Sequence, residues 1–520
     1  MTPVDEALAE LRDRDAVTRL HDRDATLWSD DPAVRDAVAN RLGWLDVAAA
    51  PPGWSQRLSD LGEQITRDGI TRVVLAGMGG SSLAPELFAS VFGGDGRGAT
   101  LTVLDSTHPD AVAAALDPAG LDATLVVVSS KSGSTEETRS FAALAGELVP
   151  SARLFAVTDA GSQLKAQARD GGWRDVAANP ADIGGRYSAL SLFGMLPAAL
   201  VGVDVDVVWA SGAAMLDRCR ATPEDNPGAQ LAAFIAGCAR AGRDKLTLLT
   251  PTSLASLGDW VEQLVAESTG KQGRGIVPVV GEPVGEPGVY GDDRAFVALS
   301  LGGETPLGVD ALAAAGHPVH RIDVAERTGV GGEFVRWEVA VALAGALLGV
   351  NPFDEPNVSE SKANTNAVLD AVAGGGSLDE PEHGDVAALL DQLRPGDYCS
   401  VQAYLAPNPA TAAPLQRLRT TVRDRYRVAT TFGWGPRFLH STGQLHKGGP
   451  NTVVALQVVE RPTGGPPIPG RDYDFATLIR AQAQGDLRSL RDHGRRVAQV
   501  SVAEPGALES LAAAVEGATR

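Results

Sequence analysis

Two short segments carry the residue types of an anion cradle. Gly77-Met78-Gly79-Gly80-Ser81-Ser82 lies between a β-branched run, 72–76, and an apolar helical period, 82–92. Glycines let a backbone turn tightly, and the helix that follows presents free N–H groups and a positive dipole end to an anion. Ser129-Ser130-Lys131-Ser132-Gly133-Ser134-Thr135-Glu136-Glu137-Thr138 stands at another strand-to-helix junction, and five hydroxyl side chains precede or open that helix. An N-cap needs one hydroxyl, and Glu136 or Glu137 suits the dipole, so capping explains part of the cluster and not its density. Two such turns at neighbouring strand ends point to one phosphorylated ligand with a non-nucleotide body. Asp105 ends the next strand as a ribose-binding acid would, but the sixth position of the G-x-G-x-x-G register begun at Gly77 is Ser82. A Walker A motif is missing too, since Gly270-Lys271 is followed by Gln272 and position 265 is Val.

The elements that must position these turns follow a regular alternation. Strands are expected at 72–76, 101–104, 125–129 and 154–157, separated by helical stretches such as 135–148. A second unit starts after the Pro223/Pro227 break, with helices at 230–241, 254–269, 307–315 and 333–348 and strands at 246–250, 276–280, 296–299 and 319–323. Strands alternating with helices predict doubly wound parallel sheets. From about Asn351 an α/β module is appended, with a Gly374-Gly375-Gly376 linker region, strands at 400–405, 429–432 and 452–459, and a Pro/Gly surface loop at 462–470. Residues 1–60 read as polar helices with sparse apolar positions, broken by Asp30-Asp31-Pro32 and Pro51-Pro52-Gly53: an arm, not a core. The expected division is therefore a helical arm at 1–60, α/β domains at 61–222 and 223–350, and a C-terminal module at 351–520.

Composition narrows the partners. The 520 residues carry Lys+Arg 45 against Asp+Glu 65, a formal charge of −20. That field disfavours nucleic acid and anionic membrane, which require a basic footprint, while local donors can still hold a small anion. Cys219, Cys238 and Cys399 form no C-x-x-C pair, which fits a reducing compartment rather than a disulfide framework or a zinc knuckle. His317 and His320 have no third ligand beside them, so no metal site is expected. The N-terminus has no apolar h-region and the run 339–350 is too short to span a bilayer, which makes cytoplasmic the expectation.

At this point the motifs converge on a family. Residues 77–85, 130–138 and Ile183-Gly184-Gly185-Arg186-Tyr187-Ser188 together resemble glucose-6-phosphate isomerase, a protein of two sugar-isomerase (SIS) domains. Gln263-Leu264-Val265-Ala266-Glu267-Ser268-Thr269-Gly270-Lys271 resembles the segment bearing the family's catalytic glutamate, and residues 351–362, from Asn351-Pro352-Phe353 to Lys362, resemble its second signature. There the sequence departs, with Glu355, Asn357 and Ser359 where the family usually has Gln, Gly and Glu. The segment Leu439-His440-Ser441-Thr442-Gly443-Gln444 is out of the usual order, because the family's histidine normally precedes its lysine. This order resembles the isomerase half of bifunctional transaldolase/glucose-6-phosphate isomerase proteins, although about 250 residues of barrel do not fit before Thr71. A free-standing isomerase is expected.

The resemblance implies reversible isomerisation of glucose 6-phosphate and fructose 6-phosphate. That chemistry moves a proton between C2 and C1 through an enediol(ate), and it needs a base, a donor for the oxyanion and acid/base groups for ring opening, but no cofactor. Glu267 is the implied base, and Gln263 lies four residues before it on one helix face, with Gly270 placed to end the helix. Arg186, following two glycines, suits the enediolate with its permanent charge. Ser81, Ser130, Ser132 and Thr135 are assigned to phosphate, with Gly80 and Lys131 contributing backbone contacts. Lys362 and His440 are the ring-opening candidates, and His446 competes with His440. A homodimer with a phosphorylated hexose as its substrate is implied. The alternatives are another SIS sugar-phosphate isomerase, for instance one also accepting mannose 6-phosphate, and a sugar-phosphate sensor without turnover.

Overall fold

The computed structural model describes residues 2–502 and 505–517. It contains three parallel sheets, each covered by helices. The first sheet comprises β1 (Arg72–Gly77), β2 (Thr100–Leu104), β3 (Thr124–Ser129), β4 (Leu154–Asp159) and β5 (Asp175–Asn179), in the order β2-β1-β3-β4-β5. The second comprises β6 (Lys245–Leu249), β7 (Val277–Val279), β8 (Arg294–Leu301) and β9 (Val319–Val324), in the order β7-β6-β8-β9. The third comprises β10 (Tyr398–Tyr404), β11 (Ala429–Trp434), β12 (Val453–Val459) and β13 (Arg496–Ser501), in the order β11-β10-β12-β13. The α/β class expected from the alternation is what the chain adopts.

Strands read as continuous apolar runs because helices cover both faces of a parallel sheet. β3 is buried at every position, and its neighbours in the sheet are β1 and β4. The strand order of the first sheet reverses between β1 and β3, where Gly77 is in register with Ser129. A crevice at the carboxyl ends of such a pair is where open α/β sheets bind ligands. Both anion-cradle turns thus leave the sheet side by side.

Residues 1–60 correct the arm reading. Ala7, Leu11, Leu20, Trp44 and Leu58 are buried in the largest hydrophobic core, together with residues of the first and second sheets. Helix Pro3–Asp13 packs on helix Pro227–Arg240, and a Cβ on Gly237 would stand 2.6 Å from the Pro3 carbonyl oxygen. The close backbone approach buries a helix whose own apolar content is low.

The third sheet docks against the other two. Helix Phe475–Asp492 contributes Phe475, Leu478 and Ala481 to the core that holds Val74, Val126 and Phe141, and Phe475 stacks on Phe141 with ring centroids 5.8 Å apart. That docking carries the segment after β11 to the carboxyl ends of the first sheet.

Candidate active site

The two cradle turns form one wall of a cleft of ≈ 350 Å³. Gly79 adopts φ +55°, and the short turn Gly79–Ser81 leads into helix Leu83–Phe92. A Cβ on Gly80 would lie 2.0 Å from the Gly185 carbonyl oxygen, so only glycine lets this turn interlock with the loop that carries Arg186. In the second turn, Ser130 Oγ accepts the Gly133 N–H at 3.1 Å and Ser132 Oγ accepts the Ser134 N–H at 3.2 Å. Part of the hydroxyl cluster therefore shapes the turn itself. Thr135 precedes helix Glu136–Leu148 and makes no capping bond with its side chain. The Lys131 ammonium donates to Asp159 at 2.5 Å and to the Ala181 carbonyl at 2.8 Å, which leaves its backbone toward the cleft.

A further part of the lining comes from helix Ala255–Thr269, which places Gln263 and Glu267 one turn apart and buries both. Gln263 Nε2 donates to Glu267 Oε2 at 3.0 Å and to the His440 carbonyl at 2.7 Å. Arg186, 3% exposed, donates through Nε to Ser268 Oγ at 2.8 Å and through Nη2 to the Pro352 and Asp354 carbonyls at 2.7 and 2.9 Å. Its Nη1 lies 3.4 Å from Glu267 Oε1 and 3.0 Å from Glu355 Oε2. Burial raises the Glu267 carboxyl above its ordinary range, and Arg186 opposes that rise without cancelling it. Lys271, pushed down to about 8 by burial and then by Arg186, pins the loop beyond Val350 by donating to the Asn351 carbonyl at 2.7 Å and to Asp354 Oδ1 at 2.6 Å.

His440 and Lys362 close the cleft. His440 ends the turn Arg437–His440 after β11, and its Nε2 is 3.0 Å from Glu137 Oε1. Gln482 also donates to that carboxylate oxygen, at 2.7 Å. Burial acts to raise Glu137, but His440 outweighs it and the carboxyl lies below its ordinary value. Lys362 lines the cleft from the exposed face of helix Val358–Ala373. The turn that bears His440 is anchored by Arg437, which donates to Asp105 Oδ2 at 3.0 Å, pairs with Glu86, and approaches Asp259 at 3.5 Å. One guanidinium from the third unit is thus held by carboxylates of the other two, and burial pushes both Asp105 and Asp259 up to about 6 against the opposing charge of Arg437. Asp105 thus pairs with Arg437 at the strand end where a dinucleotide fold would place a ribose-binding acid.

His446 is elsewhere. It is buried between Ser400 and Gln402, 3.4 and 3.3 Å from its ring nitrogens, and burial pushes it down to about 3. His317 rests on the Pro287 carbonyl at 3.2 Å, and among the described residues no group of three metal-ligating side chains occurs. Gly80, Ser81, Ser130, Lys131, Ser132, Thr135, Arg186, Gln263, Glu267, Lys362 and His440 all line the one cleft. Glu137 and Arg437 stood in the sequence without any signal of their role, the first reading as a helix-dipole residue. Glu355 was visible only as a departure.

A family model described as phosphoglucose isomerase matches residues 59–277. A protein of Natronomonas pharaonis described as a probable glucose-6-phosphate isomerase is 30% identical over 354 residues, covering 60% of this chain and 81% of its own length. The chain belongs to the glucose-6-phosphate isomerase family. A glucose-6-phosphate isomerase of Rubrobacter xylanophilus is similar at 29% identity over 365 residues, 59% of this chain and 84% of that protein. Among solved structures, a hypothetical protein of Thermus thermophilus matches with TM-score 0.60 at 25% identity, covering 70% of this chain and 96% of that one. A glucose-6-phosphate isomerase of Chlamydia trachomatis shares the fold with TM-score 0.55 at 17% identity, over 71% and 86% of the two chains. Membership of the glucose-6-phosphate isomerase family makes the chain an isomerase of hexose phosphates. Among the described residues no helix is long and apolar enough to cross a membrane.

Proposed function

We propose that the enzyme interconverts glucose 6-phosphate and fructose 6-phosphate through an enediol(ate), with Glu267 as the base that carries the proton between C2 and C1. The observation that carries this reading is the convergence of widely separated segments on one cleft, with Glu267 held between an amide donor and a guanidinium. Phosphate is placed at Gly80, Ser81, Ser130, Ser132 and Thr135 and at the Lys131 backbone. Two helix N-termini and several hydroxyls favour an anion there despite the overall charge of −20. Arg186 is placed beside the developing oxyanion. His440 moves the ring proton, with Glu137 orienting its ring through Nε2, and Lys362 assists from the cleft rim. Domain boundaries at 222/223 and 350/351, and a homodimer, belong to the same reading. A gel-filtration mass of two chains is expected, and a mass of one chain would remove the dimer.

A coupled assay without added cofactor tests the reading. Glucose 6-phosphate is expected to turn over faster than mannose 6-phosphate or glucosamine 6-phosphate. Binding without turnover of all three would make the protein a sensor instead.

The two histidines separate by their surroundings. His440→Ala is expected to lower kcat/KM on cyclic substrate roughly 10- to 100-fold, below the upper range of general acid–base effects because sugars also open in water unaided. His446→Ala removes a ring that is neutral and packed beside Tyr398 and Phe438, so it should lower Tm while changing turnover only a few-fold. Impairment of turnover by His446→Ala alone would reverse the assignment.

A further inference from the structure

Glu355 has no part in the steps described so far, yet it reaches into the cleft from the loop before helix Val358–Ala373. Its Oε2 engages the same Arg186 nitrogen, Nη1, that faces Glu267 Oε1. The remaining donors of that guanidinium are committed to Ser268, Pro352 and Asp354, so the fork cannot turn to serve one carboxylate alone. The two carboxylates differ in setting: the Glu355 side chain is 44% exposed and the Glu267 side chain 11%. Burial acts to raise both. For Glu355, Arg186 wins and the group lies below its ordinary value, whereas Glu267 lies above. Pairs of titratable groups whose environments push them apart mark a division of acid and base tasks.

A base tightly paired with a buried guanidinium loses proton affinity, because the cation favours its charged form. A second anion on the same nitrogen counteracts that loss. From this shared contact we propose that Glu355 is a positioning residue for the reaction, dividing the charge of Arg186 between two carboxylates so that Glu267 stays basic enough to take the substrate proton. The other charged groups in reach are Lys271, which faces both carboxylates, and Arg41, which faces Glu355. Tyr187 lies beside Arg186 and Glu267. Lys362, His440 and the paired Lys131 and Asp159 line the cleft from its other walls. None of these bonds to Nη1.

The inference rests on Glu267 acting as the base, and the experiment keeps the two apart. In Glu355→Gln, Arg186 is left to Glu267, so the acid limb of the kcat/KM profile should move to lower pH by about one pH unit. Glu355→Asp, which keeps the charge on a shorter stem, should place the limb between the two. The substrate phosphate also titrates near pH 6, but it is common to all the proteins and drops out of the difference. An unmoved limb, or one shifted upward, in Glu355→Gln would overturn the proposal while an inactive Glu267→Gln left the base assignment standing. Full activity in Glu267→Gln would instead remove the base assignment and this inference with it. Glu355 is exposed to the cleft, so a merely structural role would show as a fall in Tm with the limb in place.

Discussion

Glu267→Gln is expected to lower kcat by roughly 10²–10⁴, the range over which a positioned general base contributes. Binding of a phosphorylated ligand should change only a few-fold. The amide has nearly the volume of the carboxyl, and its carbonyl can still accept from Gln263 Nε2, now at 3.0 Å from Glu267 Oε2. What disappears is the basicity of the carboxylate, because an amide oxygen accepts hydrogen bonds but is far too weak a base to take a proton from carbon. Stability supplies an independent control with a definite sign. A carboxyl whose folded-state pKa is raised favours the folded state at low pH, and that contribution is lost as pH rises through the raised value. Burial raises Glu267, so the charged form costs stability above its pKa, and the amide removes that cost. The amide also removes the carboxylate that faces Arg186 Nη1, which keeps its contact with Glu355, so any Tm deficit of the variant against the parent should be smaller at pH 8 than at low pH. Loss of turnover together with a Tm deficit that shrinks as pH rises and retained binding of a hexitol 6-phosphate by calorimetry assigns the effect to chemistry. Exchange of the C2 hydrogen with deuterated solvent should fall in the same proportion, and full activity would exclude Glu267 from proton transfer.

How much of this was legible depended on whether a residue's partner lay nearby in sequence. The turns at Gly77–Ser82 and Ser129–Thr138 were readable because a strand end, a glycine or hydroxyl cluster and a helix period occur within a dozen residues. β3 was readable as a continuous apolar run. β5, Asp-Val-Ala-Ala-Asn, was not, since an edge strand with polar ends has too little β-branched content to stand out. β13 is likewise an edge strand. Helix Pro3–Asp13 was misjudged because its burial depends on the small residues of a helix more than 200 positions later, which a count of its own apolar residues cannot detect. Arg437 and Glu137 are the clearest cases. Arg437 meets Asp105 across 332 positions, and His440 meets Glu137 across 303. A lone arginine and a helix-opening glutamate carry no periodicity, so only the docking of the third sheet onto the first reveals them.

Arg186→Gln should be nearly as damaging as loss of the base, by a different route and with an opposite pH signature to Glu355→Gln. Removing a preorganised positive charge from beside a developing oxyanion costs roughly 10²–10³ in rate. The substitution also leaves Glu267 and Glu355 close together without their shared cation. Each then holds its proton more readily, since the favourable charge is gone while burial and mutual repulsion remain. The acid limb of kcat/KM should accordingly move to higher pH. Stability shifts in the same direction: both carboxyls now have raised folded-state values, so folding is favoured at low pH and weakened as pH rises through them. Urea midpoints at pH 6 and pH 8 should diverge between variant and parent, with the larger deficit at pH 8. Breaking a buried ion pair costs about 3–5 kcal/mol when the partner stays charged, and uptake of a proton at pH 6 relieves part of that. Arg186→Lys separates charge from geometry. It restores a cation but supplies a point donor where the guanidinium serves Ser268, two carbonyls and two carboxylates at once, so it should recover the position of the acid limb more fully than the rate. If Arg186→Gln kept the parent's plateau rate, the guanidinium would be a structural clamp on the 352–354 loop, and stabilisation of the enediolate would have to come from another group lining the cleft.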